Sequence, residues 1–216
     1  MARPPVVLPS TKPRNHRPMP RGATIAWRRL DTQGREAATL RQLRSGWRLL
    51  GVAEFEHDSA TSCLTYLIKC DRRWKTQECE ITGFVGDNPI AVQLERDAAG
   101  GWMLDGKPTP ALNGCVDVDL AFSPSTNLLP IRRLQLRPGD TAQVRAVWLR
   151  YPELTVEVLE QAYTCVSNNR YLYESAAGAF RRQLTIDDVG LVVDYPGLWT
   201  AEPQSVALRD QYDAIY

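Results

Sequence analysis

Histidine and closely spaced cysteines are scarce in this chain of 216 residues, and their scarcity excludes several kinds of active site. Of the two histidines, His16 lies in a proline-rich N-terminal segment, so a Ser/His/Asp or Cys/His nucleophilic site would depend on His57 alone. The five cysteines are widely spaced and form no CxxC pair, which disfavours a zinc site or a disulfide framework. The sequence therefore predicts reduced, mostly buried thiols.

Long apolar runs and glycine-rich phosphate-binding motifs are also missing. No window approaches eighteen consecutive apolar residues, so we expect no membrane span. The N-terminus lacks the apolar stretch of a secretory signal, which together with the reduced cysteines predicts a cytoplasmic protein. Neither GxGxxG nor a Walker A sequence occurs, and we expect no cofactor and no metal ion.

Acidic residues are absent from residues 1–30, which hold seven of the 26 basic residues. The remainder carries 19 basic and 25 acidic residues, so nucleic acid is not an expected partner. Six of the 15 prolines fall in residues 1–22, which we interpret as a flexible basic arm, with a polyanion-binding tail as the alternative. We expect a single β domain over residues 23–200 and a C-terminal tail over residues 201–216.

What the sequence does contain is a regular alternation of apolar and more polar residues. Ile90, Val92 and Leu94 show it, and similar runs recur from Thr24 onward, as expected for strands that bury one face. Residues 153–163 fit helical as well as strand spacing, and their β-branched side chains favour a strand. Four turn signals separate the runs and predict hairpins at residues 86–89, 98–101, 105–108 and 138–140. The predicted fold class is mainly β, or β-rich α+β.

One short or kinked helix is predicted around residues 125–135. Ser123 followed by Pro124 suits a helix start, with the serine as N-cap and the proline in the first turn. Pro130 interrupts the pattern, which limits the length of the helix. Its apolar face would consist of Leu128, Leu129, Ile131 and Leu134. A single helix in a β-rich chain is expected to be wrapped by the sheet.

Asp117 and Asp119 stand two residues apart just before this helix. On a strand both carboxylates would face the same side, about 6–7 Å apart. There they could hold a divalent cation or accept hydrogen bonds from sugar hydroxyls. The alternative is that they pair with Arg132 and Arg133 across a strand–helix corner. Asn127, at the helix start, is either a turn-forming residue or a ligand donor.

Two further clusters could contribute to a ligand site. Asp71 and Trp74 belong to the segment CDRRWKT, which is either a solvated strand end with the tryptophan tucked in or a sugar-stacking surface. Tyr195 and Trp199 belong to LVVDYPGLW and could line a pocket mouth or close the sheet. Residue types alone leave these alternatives open.

Three segments carry a resemblance to a known family through their order and spacing: CDRRWKT (70–76), GCVDVDLAFSPSTNLLPIRRL (114–134) and DYPGLW (194–199). The chain resembles, from about Trp27 to Trp199, a family of bacterial proteins named for glycolipid binding and formerly a domain of unknown function. The resemblance implies a many-stranded antiparallel sheet wrapped around a single α-helix, remotely similar to lipoprotein localisation factors, and a tight homodimer.

The resemblance also implies non-catalytic binding of a glycolipid or related amphipathic molecule, with the acyl part in an apolar cleft and the polar head at an acidic pocket. The alternatives are an enzyme of sugar or lipid metabolism that uses the aspartate pair, and a purely structural dimeric interaction protein. Ser125 stands where the family usually has an aromatic residue and Leu128 where it has threonine, which would alter the ligand if the aromatic residue lines the pocket. The candidate ligand-binding residues are Asp117, Asp119, Asn127, Arg132, Arg133, Asp71, Trp74 and Tyr195.

Overall fold

The computed structural model describes residues 21–58 and 60–203 of the chain. Its strands are β1 (Gly22–Arg29), β2 (Gly34–Gln42), β3 (Gly46–His57), β4 (Ala60–Asp71), β5 (Thr76–Val85), β6 (Asn88–Arg96), β7 (Trp102–Leu104), β8 (Lys107–Pro108), β9 (Asp117–Leu120), β10 (Thr141–Leu149), β11 (Val156–Ser167), β12 (Arg170–Ser175), β13 (Phe180–Ile186), β14 (Val192–Tyr195) and β15 (Trp199–Ala201). One α-helix, α1, spans Leu128–Leu134, and 3₁₀ turns occupy Pro110–Leu112, Ser125–Asn127 and Ala176–Gly178.

All fifteen strands belong to one sheet, in the spatial order β8-β7-β6-β5-β4-β3-β2-β1-β15-β14-β13-β12-β11-β10-β9. The described pairs are antiparallel except β9, which lies parallel to β10. Strand β1 pairs with β15, with Trp27 opposite Ala201, and this pairing joins the N-terminal half of the sheet to the C-terminal half. The Thr76 amide donates to the Val116 carbonyl at 3.1 Å, so the sheet curls until β5 meets the segment that leads into β9.

Helix α1 begins where the 3₁₀ turn Ser125–Asn127 ends, and Gln135 closes it in a left-handed conformation with φ of 48°. Its apolar side chains Leu128, Leu129 and Ile131 are buried in the same core as the inner faces of the strands. The core is therefore formed by a curled sheet around one short helix, as the resemblance implied.

Most elements predicted from periodicity are confirmed. Residues 153–163 fall largely in β11, and the predicted helix appears as a 3₁₀ turn followed by α1. Three of the four turn signals connect neighbouring antiparallel strands. The prediction of a hairpin at residues 138–140 is wrong. That turn leads from α1 into β10, so no strand directly precedes it that could pair with β10.

Small residues in the N-terminal half let large side chains cross the inner face of the sheet. A Cβ at Gly51 of β3 would lie 2.2 Å from the ring of Tyr66 on β4. The ring therefore passes over Gly51 toward β2, a path that any larger side chain on β3 would block. This crossing positions the Tyr66 hydroxyl for the polar cluster described below.

The five cysteines form no disulfide, and four of them are buried, as the sequence predicted. Strand β1 begins at Gly22, the last residue of the predicted arm, and β15 ends at Ala201. Residues 1–20 of the predicted arm and residues 204–216 of the predicted tail lie outside the described residues. No helix in the described part of the chain is long and apolar enough to cross a membrane.

Candidate ligand-binding site

The turn that leads into α1 carries polar side chains into the centre of the molecule. On one side it meets Glu36, which β2 places on the buried face of the sheet with 1% of its surface exposed. The hydroxyls of Tyr66 and Ser123 donate to Glu36 Oε1 at 2.5 and 2.6 Å. Ser125 Oγ lies 2.7 Å from both the Tyr66 and the Ser123 hydroxyl. The prediction of Ser123 as the N-cap is wrong, because the 3₁₀ turn begins at Ser125 and Pro124 is its N-cap. Ser123 instead donates to a buried acid.

The Glu36 carboxyl has a strongly perturbed pKa. Burial raises its pKa to about 8, against the opposing effect of hydrogen bonds from Ser123 and Tyr66 and of the Arg29 charge. Oxygen Oε2 is buried and has no hydrogen-bond partner within the described structure. The group is therefore mostly protonated at neutral pH, which avoids an uncompensated charge in the core.

On its other side the same turn meets the C-terminal half of the sheet through Asn127. The side-chain amide of Asn127 donates to the Pro124 carbonyl at 3.1 Å, and its Oδ1 accepts a hydrogen bond from the Tyr163 hydroxyl of β11 at 2.9 Å. The turn-forming interpretation of Asn127 matches this geometry. Since one side of the turn contacts β2 and β4 and the other contacts β11, the turn links the two halves of the sheet.

The two aspartates of β9 have different partners. Asp117, which is 1% exposed, accepts a hydrogen bond from Arg133 Nε on Oδ1 at 3.0 Å and a second, from Arg133 Nη2, on Oδ2. Burial raises the pKa of the Asp117 carboxyl, and the Arg133 guanidinium opposes that effect. The predicted strand–helix pairing therefore holds for Asp117 with Arg133, whereas the guanidinium of Arg132 lies 5.7 Å from the ring centre of Trp74.

Asp119 is the carboxylate that keeps solvent contact. Its Oδ2 accepts a hydrogen bond from Gln161 Nε2 at 2.6 Å, and the same amide lies 3.1 Å from the Tyr173 hydroxyl. The side chain stays partly exposed although protein surrounds it, and burial raises the pKa of this carboxyl to about 6.

Tyrosine rings surround this acid. The ring of Tyr173 lies 5.2 Å from that of Tyr163 and 6.3 Å from that of Tyr195, measured between ring centres. Burial raises the pKa of the Tyr173 and Tyr195 hydroxyls, and the charge of Asp119 raises both further. The result is a partly exposed acid beside buried tyrosines. We call this group the acid–tyrosine recess and define it by Asp119, Gln161, Tyr163, Tyr173 and Tyr195.

The CDRRWKT segment forms a separate feature at the turn between β4 and β5. Asp71 Oδ1 accepts hydrogen bonds from the backbone amides of Arg73 and Lys75 at 2.8 and 2.9 Å, which fixes the turn. Trp74 is buried and stacks on Trp47 with ring centres 4.6 Å apart. The structure thus matches the strand-end alternative, with the tryptophan tucked in. Trp199 is buried as well and lies in β15, where it helps to close the sheet.

The eight candidate residues therefore do not form one site. Asp119 and Tyr195 belong to the recess, and Asn127 is linked to it by the hydrogen bond from Tyr163. Asp117 and Arg133 form an ion pair elsewhere. Arg132 contacts Trp74, and Asp71 fixes the β4–β5 turn. Within residues 21–58 and 60–203, no group of three histidine, cysteine, aspartate or glutamate side chains is arranged to hold a metal ion.

Sequence reasoning missed the polar residues that the sheet buries, above all Glu36 and Gln161. A signal for both was present in the alternation. Glu36 is in phase with the buried Ala38 and Leu40, and Gln161 is in phase with the buried Tyr163. A polar side chain in phase with a buried face predicts either a buried hydrogen-bond network or a site.

The fold matches that of a solved structure, and the sequence identifies the family. The solved structure is a crystal structure of a DUF1089 family protein from Pseudomonas aeruginosa, which is 30% identical, with a TM-score of 0.64 over 90% of this chain and 99% of that chain. A family described as "Putative glycolipid-binding" matches residues 24–201. The search of curated proteins finds no significant match. The chain belongs to this glycolipid-binding family, the former DUF1089.

Proposed function

We propose that the protein binds the sugar head of a glycolipid or related amphipathic molecule at the acid–tyrosine recess, without catalysing a reaction. The observation that carries the proposal is Asp119, a partly exposed acidic residue whose charge acts on the neighbouring Tyr173 and Tyr195. Within the described structure its one hydrogen-bonding side chain is Gln161, which occupies Oδ2 and leaves Oδ1 for a ligand. Ionised carboxylates are strong acceptors for sugar hydroxyls. The rings of Tyr163, Tyr173 and Tyr195 are only 1%, 4% and 7% exposed, so they support the carboxylate rather than offer an open face for stacking.

The family to which the chain belongs supports a glycolipid as the ligand class. The acyl part would occupy an apolar cleft beside the recess. Leu128 and Leu129 of α1 are at most 1% exposed, so an acyl chain in the core would have to displace them. A free sugar would need no such rearrangement. Binding of the sugar head and binding of the acyl chain can therefore be tested separately.

The enzyme alternative has less support from the geometry. Both oxygens of Asp117 are engaged by Arg133, so Asp117 and Asp119 are not two equivalent carboxylates that could share a metal ion or divide acid and base roles. The proposal therefore gives Asp119 the ligand and leaves Asp117 and Arg133 as support for the strand–helix corner.

The proposal predicts weaker binding of a soluble alkyl glycoside when Asp119 is replaced. We expect Asp119→Asn to weaken the affinity about tenfold, which corresponds to ~1.4 kcal/mol, because a neutral amide is a poorer acceptor than a carboxylate. Calorimetric titration of the full chain with an alkyl glycoside and with the corresponding free sugar measures this. If the free sugar binds as tightly as the alkyl glycoside, the acyl part of the proposal is wrong.

The matched control is Asp194→Asn, which makes the same change at an exposed position next to Tyr195. We expect it to leave the affinity unchanged. Because the pKa of the Asp119 carboxyl is about 6, the affinity of the unmodified protein should fall as the pH drops below that value and the carboxylate is protonated. Equal effects of both substitutions, or no effect of either, would exclude Asp119 as the head-group acceptor.

We also propose that the protein forms a homodimer. Both edges of the described sheet are short, since β8 has two residues and ends in Pro108, and β9 has four. The outer face of the N-terminal half instead carries exposed apolar side chains, namely Leu50, Val52 and Phe84, at 41%, 45% and 43% exposure. This apolar outer face, rather than an edge strand, is the surface we assign to a second copy.

A further inference from the structure

The groove between the β2–β3 hairpin and the β4–β5 turn is the strongest feature outside the recess. It has a volume of about 400 Å³, and its lining includes Leu43, Arg44, Trp47, Arg72 and Trp74. We propose that this basic groove docks the protein on the surface of an anionic phospholipid bilayer. The proposal is independent of the sugar site, because it concerns lipids that carry no sugar.

The two loops that form the groove are held together as one unit. Arg72 Nε and Nη2 donate to the backbone carbonyl of Arg44 at 3.1 and 2.8 Å. A Cβ at Gly46 would lie 2.0 Å from the Cys70 carbonyl oxygen, so the hairpin packs directly against the end of β4. The basic side chains of both loops are therefore presented on a fixed frame.

Positive charge is concentrated here in a domain whose net charge is slightly negative. Residues 21–203 contain 21 basic and 23 acidic residues, yet the two loops carry Arg44, Arg72, Arg73 and Lys75, all exposed. The one acid of these loops, Asp71, accepts hydrogen bonds from two backbone amides of the turn. In the described structure no ion pair neutralises these four side chains, whereas the nearby Lys69 is paired with Glu78 at 2.7 Å.

The described part of the chain begins at the same end of the sheet. The Gln42 amide donates to the carbonyl of Arg21, the first described residue, at 2.9 Å, so Arg21 lies beside the hairpin. Residues 1–20 lie outside the described structure, and their sequence adds four basic residues and no acid. The sequence that precedes Arg21 is therefore positively charged, like the two loops of the groove.

The apolar side chains of the groove favour a bilayer over a nucleic acid. Leu43 is 37% exposed at the hairpin tip, where it can enter the boundary between lipid head groups and acyl chains while the arginines contact phosphates. Trp47 and Trp74 are only 7% and 5% exposed, so they offer no open ring face on which bases could stack.

Co-sedimentation of the full chain with vesicles tests the proposal. We expect binding to vesicles of phosphatidylcholine and phosphatidylglycerol without any glycolipid, little binding to pure phosphatidylcholine, and loss of binding as salt is raised. Each basic residue near an anionic surface contributes about fivefold to partitioning, so Arg44→Gln/Arg73→Gln/Lys75→Gln should weaken binding about a hundredfold. Leu43→Ser should weaken it further without changing the charge.

The matched control is Arg137→Gln/Arg170→Gln/Arg181→Gln, which removes the same charge from exposed positions outside the groove. Selective loss in the groove variant supports the proposal. Equal loss in both variants would reduce the effect to net charge and overturn it, as would equal binding to neutral vesicles. Displacement by soluble glycerol phosphate would assign the groove to free phosphates, and preferential binding of duplex DNA would assign it to nucleic acid; either result overturns docking on a bilayer.

Discussion

Glu36 shows how the core accommodates an acidic side chain at the residue scale. Two hydroxyls donate to one of its oxygens, and the charge of Arg29 favours the ionised form, yet burial still raises the pKa of its carboxyl to about 8. Partial compensation of this kind keeps a buried polar group in place without making its ionised form favourable. The consequence is a stability that depends on pH.

Replacing Glu36 should remove that dependence. The folded protein holds the Glu36 proton up to about pH 8, whereas an ordinary glutamate releases it near 4.5, so the free energy of unfolding should fall as the pH rises between these values and then level off. The part due to Glu36 should be on the order of 5 kcal/mol and should be missing in Glu36→Gln. The smaller fall that comes from Asp119, whose pKa burial raises to about 6, should remain. Urea unfolding at a series of pH values measures it.

The exposed Glu54 of β3 provides the control for this prediction, because Glu54→Gln removes a carboxyl from the outer face of the sheet. That variant should keep the pH-dependent fall of the unmodified protein. A fall of the same size in the Glu36→Gln variant would mean that another group is responsible for it.

The aspartates of β9 show what residue patterns could and could not predict. Their spacing placed both on one strand face, and the short strand confirms that part. Their partners, Arg133 and Gln161, stand 16 and 42 positions along the chain from the acids they bind. Local periodicity does not indicate which distant segment lies beside a strand. Only the structure could therefore show that Asp117 is ion-paired whereas Asp119 keeps one oxygen open.

At the scale of elements, α1 depends on its surroundings. Seven residues are too few for an isolated helix to be stable in water, since nucleation costs more than so few hydrogen bonds return. The helix is anchored at its start through the 3₁₀ turn and in its last turn through Arg133 and Asp117. Its position is therefore set by polar contacts to the sheet as much as by its apolar face.

Removing one partner of the Asp117–Arg133 pair should destabilise the corner strongly. Arg133→Met leaves a buried carboxylate without its counter-ion, and we expect a loss of about 3 kcal/mol in the free energy of unfolding. The double variant Asp117→Leu/Arg133→Met removes the buried charge as well and should recover much of that loss. Urea unfolding of both variants tests this, and a double variant as unstable as the sum of its single changes would show that the pair is not coupled.

The strand–helix pattern was predictable because each element has its own period, but the connections between elements were not. Alternation located β6, the β-branched side chains of residues 153–163 located β11, and the helix-start signals located α1. The parallel pairing of β9 with β10 and the pairing of β1 with β15 join segments that are distant in sequence or separated by the helix. Such pairings are fixed by the whole core, so a local pattern cannot indicate them.

At the scale of the whole molecule, no described segment covers the outer face of the N-terminal half of the sheet, where Leu50, Val52 and Phe84 are exposed. On this face Leu50 lies opposite Leu67 and Val52 lies opposite Thr65, so the two strands present three apolar side chains and one hydroxyl side by side. Charged residues such as Glu54 and Arg35, which lie opposite each other, border it. A face of this composition, with an apolar centre and charges of both signs at its rim, suits a two-fold contact between identical copies.

A single acid at the centre of that face should therefore separate the proposed dimer. Val52→Glu places a charge in the contact without disturbing the core, because Val52 is 45% exposed in one copy. We expect light scattering to give twice the chain mass for the unmodified protein and the chain mass for the variant, with little change in monomer stability. Val166→Glu, at 48% exposure on β11, is the matched control and should remain dimeric. A dimer that survives Val52→Glu would place the contact elsewhere, and a monomeric unmodified protein would contradict the dimer itself.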